Sequence, residues 1–63
     1  AASHLIPLLN DDDQWVRKSA AKALGLLRAE AAVTALQGAL DDPSELVQKN
    51  ARRSLDQIRE QGS

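Results

Sequence analysis

The 63-residue chain contains no cysteine, methionine, phenylalanine or tyrosine, and it has one tryptophan and one histidine. The lack of cysteine excludes a disulfide and a thiolate-bound metal, and His4 has no second ligand at metal-binding spacing. A hydrophobic core must therefore be built mainly from aliphatic side chains. Alanine and leucine make up a third of the chain, which favours helix over sheet.

The charge and hydropathy of the chain exclude several classes of protein. The formal net charge is −1 at pH 7, which indicates no polyanionic or polycationic partner for the chain as a whole. No apolar run approaches the roughly 20 residues of a membrane span, and no signal-peptide pattern is present. We therefore expect a soluble, cytoplasmic protein without a membrane partner. No segment alternates with period two, so no strand is predicted.

Patterns that support catalysis or metal binding are also missing. Residues 11–13 are three aspartates, but they lack the alternating acidic positions and the glycine of a calcium loop. Gly25 and Gly38 are isolated, so there is no glycine-rich phosphate loop, and no serine has a recognisable general base. We predict no enzyme activity, no cofactor and no metal.

The chain repeats itself at an offset of 31 residues. The clearest identical pairs are Val16 and Val47, Ala20 and Ala51, and Leu24 and Leu55. Such a period is typical of a helical repeat array. We predict a single all-α module over residues 1–63, with unit one at about 1–28, unit two at about 30–60, and a tail at 61–63. Its four helices are expected at about 3–10, 12–28, 30–41 and 43–60.

An aspartate precedes each of the two long helices. Asp11 with Gln14, and Asp42 with Glu45, have the spacing of a capping box, in which each side chain satisfies an unpaired backbone N–H. Pro43 would then occupy the first helical position, where a missing N–H costs nothing. Asp11 and Asp42 are therefore the predicted N-caps.

The apolar residues of each predicted helix share one face. The predicted core comprises Leu5, Leu8 and Leu9; Val16, Ala20, Ala23, Leu24 and Leu27; Val33, Leu36 and Leu40; and Val47, Ala51, Ser54, Leu55 and Ile58. The connections between helices are one to three residues long, so sequential helices should lie roughly antiparallel.

The stretch VRKSAAKALG, followed by AVTALQGALDD, resembles the short HEAT-like repeat of the phycobilisome-lyase type. The resemblance covers nearly the whole chain and implies two tandem helical hairpins, a fragment of an α-α superhelix. In unit one, the family's Gly-Asp turn is replaced by Arg28 and Ala29, so that turn lacks its left-handed glycine.

Unit two departs from the repeat along one side of its last helix. Ala21 and Gly25 of helix 2 are small enough for a neighbouring helix to approach, whereas Arg52 and Asp56 replace them in helix 4. Gln48 likewise replaces the repeat's arginine. We therefore expect helix 2 to pack against helix 4, and unit two to be a C-terminal cap with a polar outer side.

The resemblance also implies that partners bind the concave surface formed by helices 2 and 4. The matching positions are Gln14, Trp15, Lys18, Ser19, Lys22, Leu26, Leu46, Lys49, Asn50, Arg53 and Gln57. Four of these residues are cationic, with Glu45 as their only acidic neighbour on this stripe, and Trp15 is a candidate anchor. The pattern indicates a face for an acidic protein, although a solvated helix face would have the same composition.

These observations predict a non-catalytic protein–protein interaction or assembly module. Two repeats are fewer than the roughly three that stability usually needs, and Ile6 and Leu9 are expected to be exposed at the N-terminal end. Either the chain is the tail of a longer solenoid or two copies associate, and we expect a homodimer for the isolated chain. Two alternatives remain: a fragment of a bilin lyase-type subunit acting on phycobiliprotein chromophores, and a nucleic-acid-binding scaffold. The acidic rim of Asp11, Asp12, Asp13, Asp41 and Asp42 argues against the second alternative.

Overall fold

The computed structural model describes residues 2–61, and all regular structure within that range is helical. In chain order the elements are α1 (Ala2–Leu5), a 3-10 helix (Ile6–Asn10), α2 (Gln14–Leu26), a 3-10 turn (Glu30–Ala32), α3 (Val33–Ala39) and α4 (Glu45–Gln61). The predicted all-α architecture is confirmed. Ala1, Gly62 and Ser63 lie outside the described residues, and the predicted tail residue Gln61 belongs to α4.

The first and third predicted helices are each divided into an α part and a 3-10 part. Pro7 lies in the first turn of the 3-10 helix, where its missing N–H is tolerated. In unit two the 3-10 turn comes first and α3 follows it. In both units the long helix, α2 or α4, carries most of the packing surface, and α2 lies against α4.

Helix α2 begins two residues later than predicted. Asp13, and not Asp11, is its N-cap, because the Asp13 carboxylate accepts a hydrogen bond from the Trp15 N–H at 2.8 Å. Asp11 accepts from the N–H of Asp13 at 2.8 Å, which forms a turn ahead of the helix. The capping-box prediction for Asp11 was therefore wrong, because three consecutive aspartates offer alternative turn and cap positions.

Helix α4 begins at Glu45, also two residues later than predicted. Asp42 accepts from the Ser44 N–H at 2.8 Å, and the Ser44 carbonyl accepts the first helical bond, from the Gln48 N–H at 3.0 Å. Ser44 therefore holds the N-cap position, and Pro43 precedes it. The predictions of Asp42 as the N-cap and of Pro43 at the first helical position were therefore wrong.

Helix α2 ends in a left-handed turn, although no glycine is present there. Arg28 has φ of 51°, and its N–H donates to the Gly25 carbonyl at 3.0 Å. The Ala29 N–H donates to the Leu24 carbonyl at 3.1 Å. These two bonds form a Schellman motif, in which Arg28 takes the position that glycine usually occupies.

The core is a layer of aliphatic residues between the helices. Its buried members are Leu9, Ala20, Ala21, Leu24, Ala32, Leu36, Ala39, Val47, Ala51, Leu55 and Ile58. Two predicted core residues are instead exposed: Leu27, just beyond the end of α2, and Leu8. Leu9 was also expected at an exposed end surface, but it is 6% exposed and belongs to the core.

A close contact between α2 and α4 joins the two units. A Cβ atom added to Gly25 would lie 2.6 Å from the Cβ of Ser54, too close for two carbon atoms. Ser54 is 1% exposed, and its hydroxyl donates to the Ala21 carbonyl. The prediction that Ala21 and Gly25 allow α4 to approach is therefore confirmed.

Gly25→Ala should destabilise the protein by about 1–3 kcal/mol, because the added methyl group must push α4 away. Helix propensity alone would predict the opposite, a gain of about 1 kcal/mol. The control is Gly38→Ala in α3, where an added Cβ meets nothing within 4 Å and a gain of about 0.5–1 kcal/mol is expected. Urea unfolding of the two variants measures the difference, and equal gains would contradict the close contact.

Candidate partner-binding groove

A groove runs along the surface between α2 and α4. It is lined by Lys18, Lys22 and Leu26 from α2 and by Asn50, Arg53, Ser54 and Gln57 from α4. Six of these seven residues belong to the predicted binding face. Their placement follows from the packing at Gly25, which brings the two helices close enough to share one groove.

The groove has a positive electrostatic character. Lys18, Lys22 and Arg53 contribute three cationic groups, and no carboxylate belongs to the described residues that line it. Asn50 donates through its side chain to the Leu46 carbonyl of its own helix at 2.7 Å, and the Ser54 hydroxyl donates to Ala21. These bonds hold two polar side chains of the lining in place, and the cationic Lys22 and Arg53 are exposed beside them.

Trp15 lies near the N-terminal end of α2 and is 56% exposed. The Lys18 ammonium group lies 5.6 Å from the centroid of the indole ring, within cation–π distance. With Gln14, Trp15 lines a separate shallow depression, which also includes Pro43 and Ser44. Trp15 is thus linked to the groove through Lys18 and does not form part of its lining.

An ion pair between the two units fixes the start of α4 against α2. The Arg17 guanidinium donates to the Asp42 carboxylate, with Nε–Oδ2 at 2.8 Å and Nη2–Oδ1 at 3.2 Å. Arg17 also donates to the carbonyls of Asp11 and Asp12, at 2.7 and 3.0 Å. The side chains of Arg17 and Asp42 are only 14% and 8% exposed, so water screens their interaction weakly.

Gln48 occupies in unit two the position that Arg17 has in unit one. Its side-chain amide donates to the carbonyl of Asp42, just as Arg17 donates to the carbonyl of Asp11. Gln48 therefore preserves the bond within its own unit. It lacks a guanidinium group, with which Arg17 donates two hydrogen bonds to the Asp42 carboxylate of the next unit.

The environment of Asp42 lowers its pKa below the ordinary value of 3.8. Burial acts to raise the pKa, but the hydrogen bond from Arg17, the N–H of Ser44 and the positive charge of Arg17 together outweigh it. Because the pKa is lower in the folded protein, the unfolded chain binds the proton more readily. The ionised pair therefore stabilises the fold above pH 3.8, and this contribution is lost as the pH falls below that value.

Asp42→Asn should reduce the free energy of unfolding by about 2 kcal/mol near neutral pH, because the bonds that it weakens involve charged groups. The difference from the original protein should shrink as the pH falls below about 3.8, because the carboxyl group of Asp42 takes up its proton first in the unfolded chain and then, at lower pH, in the folded protein. Urea unfolding at several pH values measures this. Asp41→Asn at the neighbouring exposed aspartate is the control and should change stability little at any pH. A deficit for Asp42→Asn that does not vary with pH would contradict the ion-pair explanation.

The predicted binding residues outside the groove fall into three groups. Gln14 and Trp15 lie at the depression near Pro43, and the Gln14 side chain accepts from the Ser44 hydroxyl at 2.8 Å. Lys49 lies on the outer side of α4, and Ser19 and Leu46 are exposed but do not line the groove. Conversely, Ser54 was expected only in the core and also lines the groove.

The part of the chain that the structure describes shows neither a cluster of metal-binding side chains nor a membrane-spanning helix. Within it, no three or more histidine, aspartate or glutamate side chains come together in a way that could hold a metal ion. None of the described helices is both long and apolar enough to cross a membrane.

The arrangement of paired helices agrees with a family to which the sequence is similar. The model of HEAT repeats matches residues 2–63, which is almost the entire chain. The chain belongs to the HEAT repeat family. HEAT repeats are stacked helical hairpins that generally act as scaffolds for protein–protein interaction and are typically non-enzymatic. A search of curated proteins found no match.

The match supports part of the sequence-based prediction. A HEAT-like helical repeat protein was predicted, and the family is confirmed. The phycobilisome-lyase subtype, the homodimer and the cytoplasmic location stay predictions. The division into residues 1–28 and 30–60 also stays a prediction, since no comparison addresses it.

Proposed function

We propose that this HEAT module binds an acidic segment of another protein in the groove between α2 and α4. The observation that carries the proposal is the lining of the groove: three cationic side chains and no carboxylate among the described residues, in a chain of net charge −1. Such a local excess of positive charge attracts an acidic partner and orients it on approach.

The apolar groups beside the cationic row favour a protein over a simple anion. Leu26 is 65% exposed at one end of the row, and Trp15 is 56% exposed at the other. Large exposed apolar side chains next to charges are typical of protein-binding surfaces, where aromatic residues often supply much of the binding energy. We therefore assign Leu26 and Trp15 as apolar anchors on either side of Lys18 and Lys22.

The other ligand classes have less support. A nucleic acid would meet the exposed carboxylates of Asp12 and Asp13 near Trp15. The three cationic groups of the groove would also bind phosphates only weakly, with a log–log salt slope no steeper than about −3. A bilin would need an enclosed, mainly apolar pocket. The groove lining consists largely of charged and amide groups. We therefore propose a protein partner rather than a nucleic acid or a bilin.

Charge reversal in the groove tests the proposal. A capped peptide of alternating glutamate and leucine is the probe, and Trp15 fluorescence is the signal, because Lys18 lies over the only indole ring of the chain. Lys22→Glu should weaken binding about tenfold or more at low salt, by loss of an attraction and gain of a repulsion. Arg59→Glu, an equal change of charge at an exposed position of α4 outside the groove lining, should leave the affinity within about twofold.

Two results would contradict the groove as the binding site. Equal weakening by Lys22→Glu and Arg59→Glu would mean that only the overall charge matters. Tighter binding of a DNA duplex than of the peptide, with the same dependence on Lys22, would favour the nucleic-acid alternative.

We further propose that the chain self-associates. The supporting observation is that Leu8 and Leu27, which the helical pattern assigns to the core, are 38% and 57% exposed. Exposed apolar side chains are an expected site for association. Sedimentation equilibrium over a concentration series should therefore give an average mass above that of the 6.8 kDa monomer.

A further inference from the structure

The two helices that form the groove run side by side in the same direction. Ser44, just before α4, donates through its hydroxyl to the side chain of Gln14, the first residue of α2, at 2.8 Å. Further along, the Ser54 hydroxyl of α4 donates to the Ala21 carbonyl of α2. The two contacts join residues 30 and 33 positions apart, so the helix starts meet each other and the later turns meet each other. Positions on the two walls of the groove can therefore be matched along its length.

The hydrogen bond between Ser54 and Ala21 fixes the middle of the groove. Arg53 is the chain neighbour of Ser54, and it lines the wall formed by α4. Lys22 is the chain neighbour of Ala21, and it lines the wall formed by α2. Arg53 and Lys22 therefore lie at about the same height on opposite walls.

The position of Gln57 fixes the end of the groove that lies toward the helix C-termini. Its side-chain oxygen is 2.5 Å from the place that a Cβ atom added to Gly25 would take. Leu26, the chain neighbour of Gly25, lines the opposite wall at this height. At the other end of the groove, Lys18 and Asn50 each lie about one helical turn before the middle pair.

The groove thus has three levels that differ in charge. From the helix starts onward, the levels are Lys18 with Asn50, Lys22 with Arg53, and Leu26 with Gln57. The first level has one cation, the second has two, and the third has none. Leu26 at the third level is 65% exposed. A complementary ligand therefore carries negative charge at the first two levels and an apolar side chain at the third.

The spacing of the levels matches that of an extended peptide. Lys18, Lys22 and Leu26 follow one another at intervals of four residues, and four residues of a helix rise about 6 Å. In an extended chain, alternate side chains point to the same side and lie about 6.6 Å apart. One level is therefore reached by every second residue of an extended ligand.

The shape and chemistry of the groove favour an extended segment over a helical one. Its walls meet where an added Cβ atom at Gly25 would lie 2.6 Å from the Cβ of Ser54, so the groove is narrow at its base. A helix with its side chains is about 10–12 Å wide, whereas extended strands pack about 4.8 Å apart. The amide side chains of Asn50 and Gln57 also suit a peptide backbone, whose N–H and C=O groups are available in an extended chain and already paired in a helix.

We propose that the partner segment binds in an extended conformation, with acidic residues at positions i and i+2 and an apolar residue at position i+4. The first acidic side chain meets Lys18, the second meets the pair at the middle level, and the apolar side chain lies against Leu26. This inference rests on the proposed binding of an acidic segment and adds its conformation, spacing and order. The reversed sequence, bound in the opposite direction, presents the same side chains to the same levels.

Two peptides of identical composition test the order. One contains Glu-Ser-Glu-Ser-Leu and the other Glu-Ser-Leu-Ser-Glu, each capped and flanked by Gly-Ser at both ends. The second peptide is a control for either chain direction, because in every register it places only one glutamate at a cationic level. Isothermal titration calorimetry at low salt should show about three- to fivefold tighter binding of the first peptide, the effect of one exposed ion pair.

A substitution at the third level tests the position of the apolar residue. Leu26→Lys makes this level cationic, so the second peptide can then place both glutamates at cationic levels and the preference should disappear. Leu26 is 65% exposed, so the fold should tolerate the change. Leu27→Lys is the control, because Leu27 is also exposed, at 57%, but does not line the groove, and the preference should persist.

The outcomes separate this inference from the proposed function. Binding of neither peptide would overturn both. Equal binding of the two peptides, with both weakened by Lys22→Glu, would keep the groove as the site and overturn the order and spacing. Tighter binding of an alanine-based helical peptide with glutamates at i and i+4 and leucine at i+8 would overturn the extended conformation. A preference that survives Leu26→Lys would overturn the assignment of the apolar residue to the third level.

Discussion

The close approach of α2 and α4 at Gly25 is the constraint on which the rest of the structure depends. No side chain larger than a hydrogen atom fits at Gly25 while Ser54 holds its place, and Ser54 is fixed there by its bond to the Ala21 carbonyl. The contact also brings the start of α4 close to α2. There Arg17 of α2 forms an ion pair with Asp42, which lies just before α4. Two short hairpins, each too small to bury its own apolar surface, thereby share one core.

The candidate groove is a consequence of the same contact. Residues 31 positions apart in the chain come to lie on neighbouring helices, so a row on α2 and a row on α4 form the two walls of one surface. The packing fixes the residues that face the junction and leaves the outward residues free to differ. Lys22 and Arg53 are examples, since both line the groove and neither belongs to the buried core. These outward residues can therefore change without loss of the fold.

Much of this arrangement could be predicted from the sequence, because the internal repeat allows each residue to be compared with its counterpart 31 positions later. The small residues Ala21 and Gly25 predicted the packing of α2 on α4, and six of the predicted binding residues do line one groove. The helix starts were predicted wrongly, because several adjacent aspartates can either cap a helix or form a turn ahead of it, and residue spacing alone does not select among them. The exposure of Leu27 was missed for a similar reason: helical periodicity shows which face a residue lies on, but not whether another element covers that face.

The most direct test of the central role of the Gly25 contact is a double-mutant cycle between Gly25→Ala and Ser54→Gly, measured as free energies of unfolding in urea. Removing the side chain of Ser54 removes two of the three atoms nearest to the methyl group that Gly25→Ala adds, among them the Ser54 Cβ at 2.6 Å. The third atom, Gln57 Oε1 at 2.5 Å, is the end of a flexible side chain and can move aside. The double variant should therefore be more stable than the sum of the two single effects predicts, by about 1 kcal/mol or more. Additive effects, within about 0.5 kcal/mol, would contradict the claim that the two units are joined through this contact.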